Sequence, residues 1–311
     1  MGDVLVSFWA LVVLMAVGLA LVKTNSVSAN ADRALSRLVF NAMLPALMFK
    51  SVSNTTPSEV FSVAAVANIG AEVIIFVLYY VLAIRAFRLR GGEETIGALS
   101  ASYVNAGNIG VPYLVAILGD PTQAVPIMLF QLLVMVPITF TMLDRQTGRN
   151  LSSPLKQVAS AFKQPPVVGV LIGLAVSLAD VSVPRAVTVP VEMLAGATVP
   201  IIMIAMGISW GSAQMPKLDK GVIPTLTAVA MRCLLGPLLA VGLGLLFGIE
   251  GNLLLAVAIV GAFPSANNVF VYAHRYDVGI PLARESVLLS TAVSMPVVLL
   301  IAWIFHVTAL A

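Results

Sequence analysis

The sequence predicts an all-α membrane protein of ten transmembrane helices, arranged as two inverted repeats of five. Three observations predict it. Hydrophobic residues make up 59% of the 311 residues and charged ones only 10%, and the mean hydropathy is +1.02. Apolar runs of 18 or more residues recur along the chain, each long enough to cross about 30 Å of hydrocarbon. Finally, 14 of the 17 basic residues fall into alternate loops, the pattern that a cytoplasmic excess of Lys and Arg imposes on correctly counted spans.

The spans are expected at about 4–22, 34–53, 60–84, 94–118, 123–143, 166–183, 188–210, 221–247, 252–273 and 282–306. The first resembles a signal peptide, because Ala29-Asn30-Ala31 reads as a cleavage site. Its start, Met1-Gly2-Asp3, carries no basic residue and its apolar run is too long, so it reads as a retained helix. The second carries Leu44-Pro45-Ala46-Leu47 and the third carries Glu72. The fourth is interrupted by Asn105, Gly107, Asn108, Gly110 and Pro112, and the fifth holds Gln131 and Pro137. Gly169 and Gly173 in the sixth, Gly207 and Gly211 in the seventh, and Gly244 and Gly248 at the end of the eighth have the spacing of close helix packing. The eighth also carries Arg232 and Cys233, the ninth is interrupted by Pro264, Ser265, Asn267 and Asn268, and the tenth contains Pro296.

With the N-terminus outside, the inward loops hold Lys23, Arg33, Arg37, Arg85, Arg88, Arg90, Arg145, Arg149, Lys156, Lys163, Lys217, Lys220, Arg275 and Arg284. The outward loops hold only Arg185, while Lys50 and Arg232 lie within spans. Both termini are therefore expected outside a cell membrane that the chain crosses many times. A basic linker over about 149–165 separates a repeat at about 1–148 from one at about 166–311. Five spans is an odd number, so the second repeat enters the membrane in the opposite sense. Internal echoes agree with this. Leu44-Pro45 in the second span resembles Val199-Pro200 in the seventh, and Pro45 to Pro112 is 67 residues where Pro200 to Pro264 is 64.

Proline removes a backbone donor and clashes with the preceding turn, while Asn and Ser are polar at a depth without water. A pair of interrupted helices at matching places in two halves points to a transporter's binding site. Pro112 suits the first turn of a new half-helix. Gly107 and Gly110 are expected to give the backbone before it unusual conformations. In the ninth span Pro264 and Ser265 are expected to restart the helix, with Ser265 as N-cap. Half-helix N-termini would then offer partial positive charge and free donors to a carboxylate. The four amides Asn105, Asn108, Asn267 and Asn268 could satisfy freed backbone, cross-link the breaks or contact substrate.

Asn105-Ala106-Gly107-Asn108-Ile109-Gly110-Val111-Pro112, with Pro264-Ser265-Ala266-Asn267-Asn268-Val269-Phe270 and Asn41-Ala42-Met43-Leu44-Pro45-Ala46-Leu47, resembles the auxin efflux carrier family, over essentially the whole chain. Bacterial members include malonate or dicarboxylate permeases. The resemblance implies a fold like the bile acid–sodium symporters and sodium–proton antiporters. In that fold helices 1, 2, 6 and 7 form a scaffold, and helices 3–5 and 8–10 a mobile core with crossed fourth and ninth helices. It places substrate at Asn105, Asn108, Gly110 and Pro112 and at Pro264, Ser265, Asn267 and Asn268. The long central loop of the plant hormone exporters is lacking, so regulation through it is not implied.

Glu72 and Arg232 each cost roughly 2.5–3.5 kcal/mol at a helix centre on insertion scales, so each needs a partner. They are expected either to pair with one another or to serve separately, Glu72 with a coupling proton and Arg232 with an anionic substrate. Gln131 reads as interhelical glue. Two distant histidines and one cysteine build neither a usual zinc site nor a nucleophile–base pair, and no phosphate-binding loop ends in Lys-Ser or Lys-Thr. No cofactor, metal or nucleic acid is expected. The sequence reading is a secondary transporter of a small organic anion by alternating access. Its expected company is membrane lipid, a coupling proton or sodium ion, and a second copy in a homodimer. An ion exchanger of the same fold and a channel or sensor are the alternatives. The basic-loop count makes one direct prediction: in a Lys156→Cys variant, an impermeant thiol reagent added to intact cells leaves position 156 unlabelled.

Overall fold

A computed structural model describes residues 2–28, 30–55, 62–148, 153, 156, 159–160, 162–179, 181–212 and 222–308. Most of the 149–165 linker, and Lys217 and Lys220, lie outside the described residues. In chain order the helices are α1 (Gly2–Lys23), α2 (Ala31–Leu38), α3 (Leu44–Ser53), α4 (Val63–Arg85) and α5 (Glu93–Ser102). Then come α6 (Val111–Leu118), α7 (Ala124–Phe130), α8 (Val136–Thr147), α9 (Pro165–Ala179) and α10 (Arg185–Ser212). The last are α11 (Val222–Ala230), α12 (Gly236–Leu246), α13 (Gly251–Gly261), α14 (Asn267–Tyr276) and α15 (Ile280–Thr308). Among the described residues the only β pairing is an isolated antiparallel bridge between Val104 and Ser265.

Among the described residues, six helical segments are long and apolar enough to cross a membrane: Val6–Lys23, Val63–Arg85, Ala124–Thr147, Arg185–Gly211, Val222–Leu246 and Ile280–Thr308. Ala106–Leu118, Pro165–Ala179 and Gly251–Gly261 are shorter apolar helices. The fold class is thus all-helical, with several spans that suit a bilayer. The expected fourth and ninth spans are each two short helices with a non-helical break.

Among the described residues, four π turns interrupt the helices, at Val39–Met43, Ala106–Gly110, Gln131–Met135 and Met231–Leu235. Each is followed two residues later by a proline: Pro45, Pro112, Pro137 and Pro237. A proline lacks the N–H for its own helical bond and its ring crowds the carbonyl four residues back. A wider turn just before it makes room for that ring. Pro200 and Pro296, the sequence counterparts of Pro45 and Pro137, instead sit inside α10 and α15.

The described chain divides into two compact units. Unit 1 comprises residues 1–62, 107–125 and 162–215, and unit 2 comprises 63–106, 126–161 and 216–311. In unit 1, α1 packs on α10 and α9 on α3. A Cβ on Gly18 would fall on the Ile204 carbonyl, and one on Gly207 on the Met15 carbonyl. Gly169 meets Pro45 in the same way, and a Cβ on Gly173 would lie 3.0 Å from the Phe49 carbonyl. These glycines let backbones touch, the role expected of small residues in membrane helices. The Gly244/Gly248 pair differs: Gly244 packs against Leu254, but Gly248 has φ +72° in the turn after α12.

In unit 2, α4 shows the membrane pattern directly. Asn68, Glu72, Ile75, Tyr79 and Ala83 form a buried stripe, while Val66, Val73, Val77 and Val81 are exposed. A helix apolar on its exposed face as well as its buried one belongs in lipid. By contrast, α5 is buried from Glu94 to Ser102 and α13 from Leu254 to Gly261. At 1.5 Å per residue each is about 15 Å long, half a bilayer core.

The backbone contact of α1 with α10 yields a stability test. Gly207→Val should destabilise the detergent-solubilised protein by about 1–3 kcal/mol, the usual cost of overpacking, read as a lowered melting temperature.

Candidate functional site

The break in each interrupted segment is a short extended stretch. After α5 the chain runs extended through Tyr103 and Val104 before the π turn at Ala106. After α13 it passes through Ala262, Phe263, Pro264 and Ser265 before α14 begins at Asn267. The two stretches cross and pair. Asn105 N–H donates to the Pro264 carbonyl at 2.8 Å, and Ala266 N–H donates to the Tyr103 carbonyl at 3.0 Å. Those bonds flank the Val104–Ser265 bridge. Backbone groups that two unbroken helices would have satisfied internally are thereby satisfied by each other, as a low-dielectric site requires.

Three expectations for these residues are corrected. Ser265 is not the N-cap of α14: that position is Ala266, extended at φ −77° and ψ 143°, and no side chain caps it. Instead Ser265 Oγ donates to the Ser100 carbonyl in α5, and its N–H is received by Ser290 Oγ at 3.0 Å. A residue buried between two segments serves better as a cross-link than as a cap. Pro264 does not restart the helix either; it stays in the extended stretch as an acceptor. Nor do Gly107 and Gly110 adopt left-handed conformations. Gly110 is ordinary helix at φ −62° and ψ −47°, and Gly107 is a close approach, where a Cβ would lie 3.3 Å from Leu44 Cδ2. Pro112 is in the first turn of α6, as expected.

Behind the crossing lies Arg232, in the π turn between α11 and α12, and it is only 2% exposed. Its Nη1 donates to the Ser102 carbonyl at 2.8 Å and its Nη2 to the Gly261 carbonyl. Ser102 and Gly261 are the last residues of α5 and α13. One guanidinium therefore caps both helix C-termini, where unpaired carbonyls carry the negative end of each macrodipole.

Glu72 is equally buried, and its Oε1 accepts from Gln131 Nε2 at 2.7 Å. Gln131 thus links α4 to the fifth expected span, the interhelical glue anticipated for it. Among the described residues no hydrogen bond joins Glu72 to Arg232. They act on one another through space, and each is held by polar groups of its own.

Of the four amides, Asn105 is buried in the extended stretch, while Asn267 and Asn268 are exposed at the start of α14. Asn108 lies in the Ala106–Gly110 π turn and, with Gly110 and Pro112, belongs to unit 1. Asn105, Pro264, Ser265, Asn267 and Asn268 belong to unit 2. One group escaped the sequence reading. Tyr103, Tyr272 and Asn268 share a hydrogen-bonded cluster, and Tyr272 meets Tyr103 and Phe140 edge to face at 6.1 and 4.8 Å. Asn268 and Tyr272 stand four apart on α14, a spacing that shares a helix face. That was the available signal.

Residues 3–302 match the family described as membrane transport protein. The chain is 24% identical to the "Putative malonate transporter" of Rhizobium meliloti, over 85% of this chain and 84% of that protein. It is 23% identical to the uncharacterized transporter YfdV of Escherichia coli, over 89% and 88%. To auxin efflux carrier component 6 of Arabidopsis thaliana it is 25% identical, over 54% of this chain and 28% of that protein.

The double cap makes Arg232 a sensitive position in unit 2. Hydrogen bonds to a charged group contribute about 1.5–3 kcal/mol each. Arg232→Met should therefore lower the melting temperature of the purified protein more than Cys233→Ala at the adjacent buried position.

Proposed function

Because the chain belongs to the membrane transport protein family, together with the auxin efflux carriers, it is a transporter and not an enzyme, and we propose that it is a secondary active carrier of a small organic anion. The observation that carries this reading is the start of α14. A half-helix opens there inside an apolar segment, with no side chain capping its N-terminus and with Asn267 and Asn268 exposed on its first turn. Backbone N–H groups and the positive end of a helix dipole favour a carboxylate, and the two amides can fix its orientation. The buried guanidinium of Arg232 adds a positive field behind the crossing at Asn105 and Pro264.

The relative named for malonate supports a short dicarboxylate as the first substrate to try. Of the residues singled out in the sequence, Asn267 and Asn268 hold the substrate in unit 2 on this reading, with Asn105, Pro264 and Ser265 building the buried crossing behind them. Asn108, Gly110 and Pro112 are kept as substrate residues contributed by the fourth segment. Ten spans as two inverted repeats and alternating access belong to the same proposal. A broken pair of helices at matching places in two halves is the architecture that such carriers use.

The test is counterflow in vesicles containing the purified protein. Labelled malonate should enter with saturation, and unlabelled malonate inside should speed its entry. Flux that rises linearly with concentration and ignores trans substrate would mark a channel instead. Asn267→Ala and Asn108→Ala should each reach the membrane folded, yet cut the rate by about tenfold or more, equivalent to about 1.4 kcal/mol or more of lost interaction. Wild-type rates in both would reduce the amides to backbone patches.

A further inference from the structure

Several buried polar atoms in unit 2 have no hydrogen-bond partner, and two of them lie together on α4. On α4, Asn68 and Glu72 are 6% and 2% exposed, one helical turn apart on the same buried stripe. Asn68 Nδ2 donates to the Ala64 carbonyl at 3.3 Å, and Glu72 Oε1 accepts from Gln131. Asn68 Oδ1 and Glu72 Oε2 are both buried without a hydrogen-bond partner. Both are acceptors, and an ionised carboxylate has no hydrogen to give. Residues four apart on a helix have Cβ atoms roughly 5–6 Å apart, within reach of their side chains. We propose that Asn68 and Glu72 form a proton-binding site, in which a proton on Glu72 Oε2 is donated to Asn68 Oδ1. One proton converts two unsatisfied acceptors into one hydrogen bond and removes a bare charge from a buried position.

The surroundings bear on this assignment. From the π turn at 231–235, Arg232 contributes its field; its two terminal nitrogens are committed to Ser102 and Gly261, and its Nε is buried without a hydrogen-bond partner. Tyr103 lies close enough to interact electrostatically, and the Val104 N–H faces the carboxylate. On α5, Glu93 and Glu94 occupy the opposite end, while α12 and α13 carry no titratable residue. In the segment of Gln131, Asp144 and Arg145 are more than three turns further on. On α4 itself Tyr79 is spent on the Pro224 carbonyl, and Tyr80 and Arg85 follow towards its end. Val104 is the bridge residue of the crossing, so gain or loss of the proton is felt at the strand pair that carries Asn105. A coupling role for the site rests on the transport reading above; occupancy by a proton does not.

Infrared difference spectra of the purified protein in lipid nanodiscs decide the occupancy. At neutral pH the parent should show a protonated carboxyl carbonyl band that is absent from Glu72→Gln. In Asn68→Leu the band should move to higher frequency, and replacing potassium by sodium should not alter it. If Glu72→Gln does not fold, the displacement between parent and Asn68→Leu carries the assignment. A parent without the band at neutral pH has an ionised Glu72 facing Arg232, which overturns the proposal. A band abolished by sodium overturns it in favour of a metal cation held by the same oxygens. Counterflow of labelled malonate at several pH values then tests the role: its rate should vary with pH in the parent and be flat in Glu72→Gln. A flat parent removes the coupling role, whereas a parent that moves no carboxylate refutes the transport reading and leaves the infrared result standing.

Discussion

Two helix C-termini end on the same guanidinium, and the centre of unit 2 is arranged around that contact. The carbonyl ends of α5 and α13 would repel one another if brought together bare, because each carries the negative end of a helix dipole. Arg232 supplies donors to both Ser102 and Gly261 and puts a positive charge between them. Gly236, one turn after Arg232, leaves room for this: a Cβ there would collide with the guanidinium and with the Gly261 carbonyl. The π turn at Met231–Leu235, just before Pro237, is what carries the arginine in that segment.

With both C-termini capped, the extended stretches beyond them can lie side by side. Their two backbone bonds, the Ser265–Ser100 link and the Ser290 Oγ that receives the Ser265 N–H hold the crossing without charged side chains. The start of α14 can then remain uncapped by side chains, and Asn267 and Asn268 stay exposed. Buried serines and backbone thus hold the crossing, and Asn267 and Asn268 remain exposed beside it. That division of labour was hidden in the sequence, where Ser265 and the asparagines look alike as polar residues in an apolar run.

Unit 1 is held differently. Where lipid surrounds the helices, apolar side chains gain little by leaving one hydrocarbon surface for another, and close backbone contact becomes the main attraction. Gly18, Gly207 and Gly169 supply it by letting α1 meet α10 and α9 meet α3. The Gly244/Gly248 pair shows the limit of the spacing rule, since Gly248 serves a turn at positive φ.

The sequence by itself determined the class, the family and the places where helices are interrupted. Hydrophobic length fixes what a bilayer accepts, and Pro112, Pro264 and the amides mark where a helix cannot continue unaided. Gln131 was legible as a link between helices because an amide at that depth needs a partner. Only the tertiary structure decided who the partners are. Glu72 and Arg232 invite pairing as two opposite charges in corresponding spans, yet Arg232 takes the two helix ends and Glu72 takes Gln131. Ser265 could have capped its own helix and instead bonds to α5. The physical reason is the same in each case: spacing along the chain fixes which residues share a helix face, while the partner of a buried polar group is chosen by whichever unsatisfied donor or acceptor folding brings within about 3 Å.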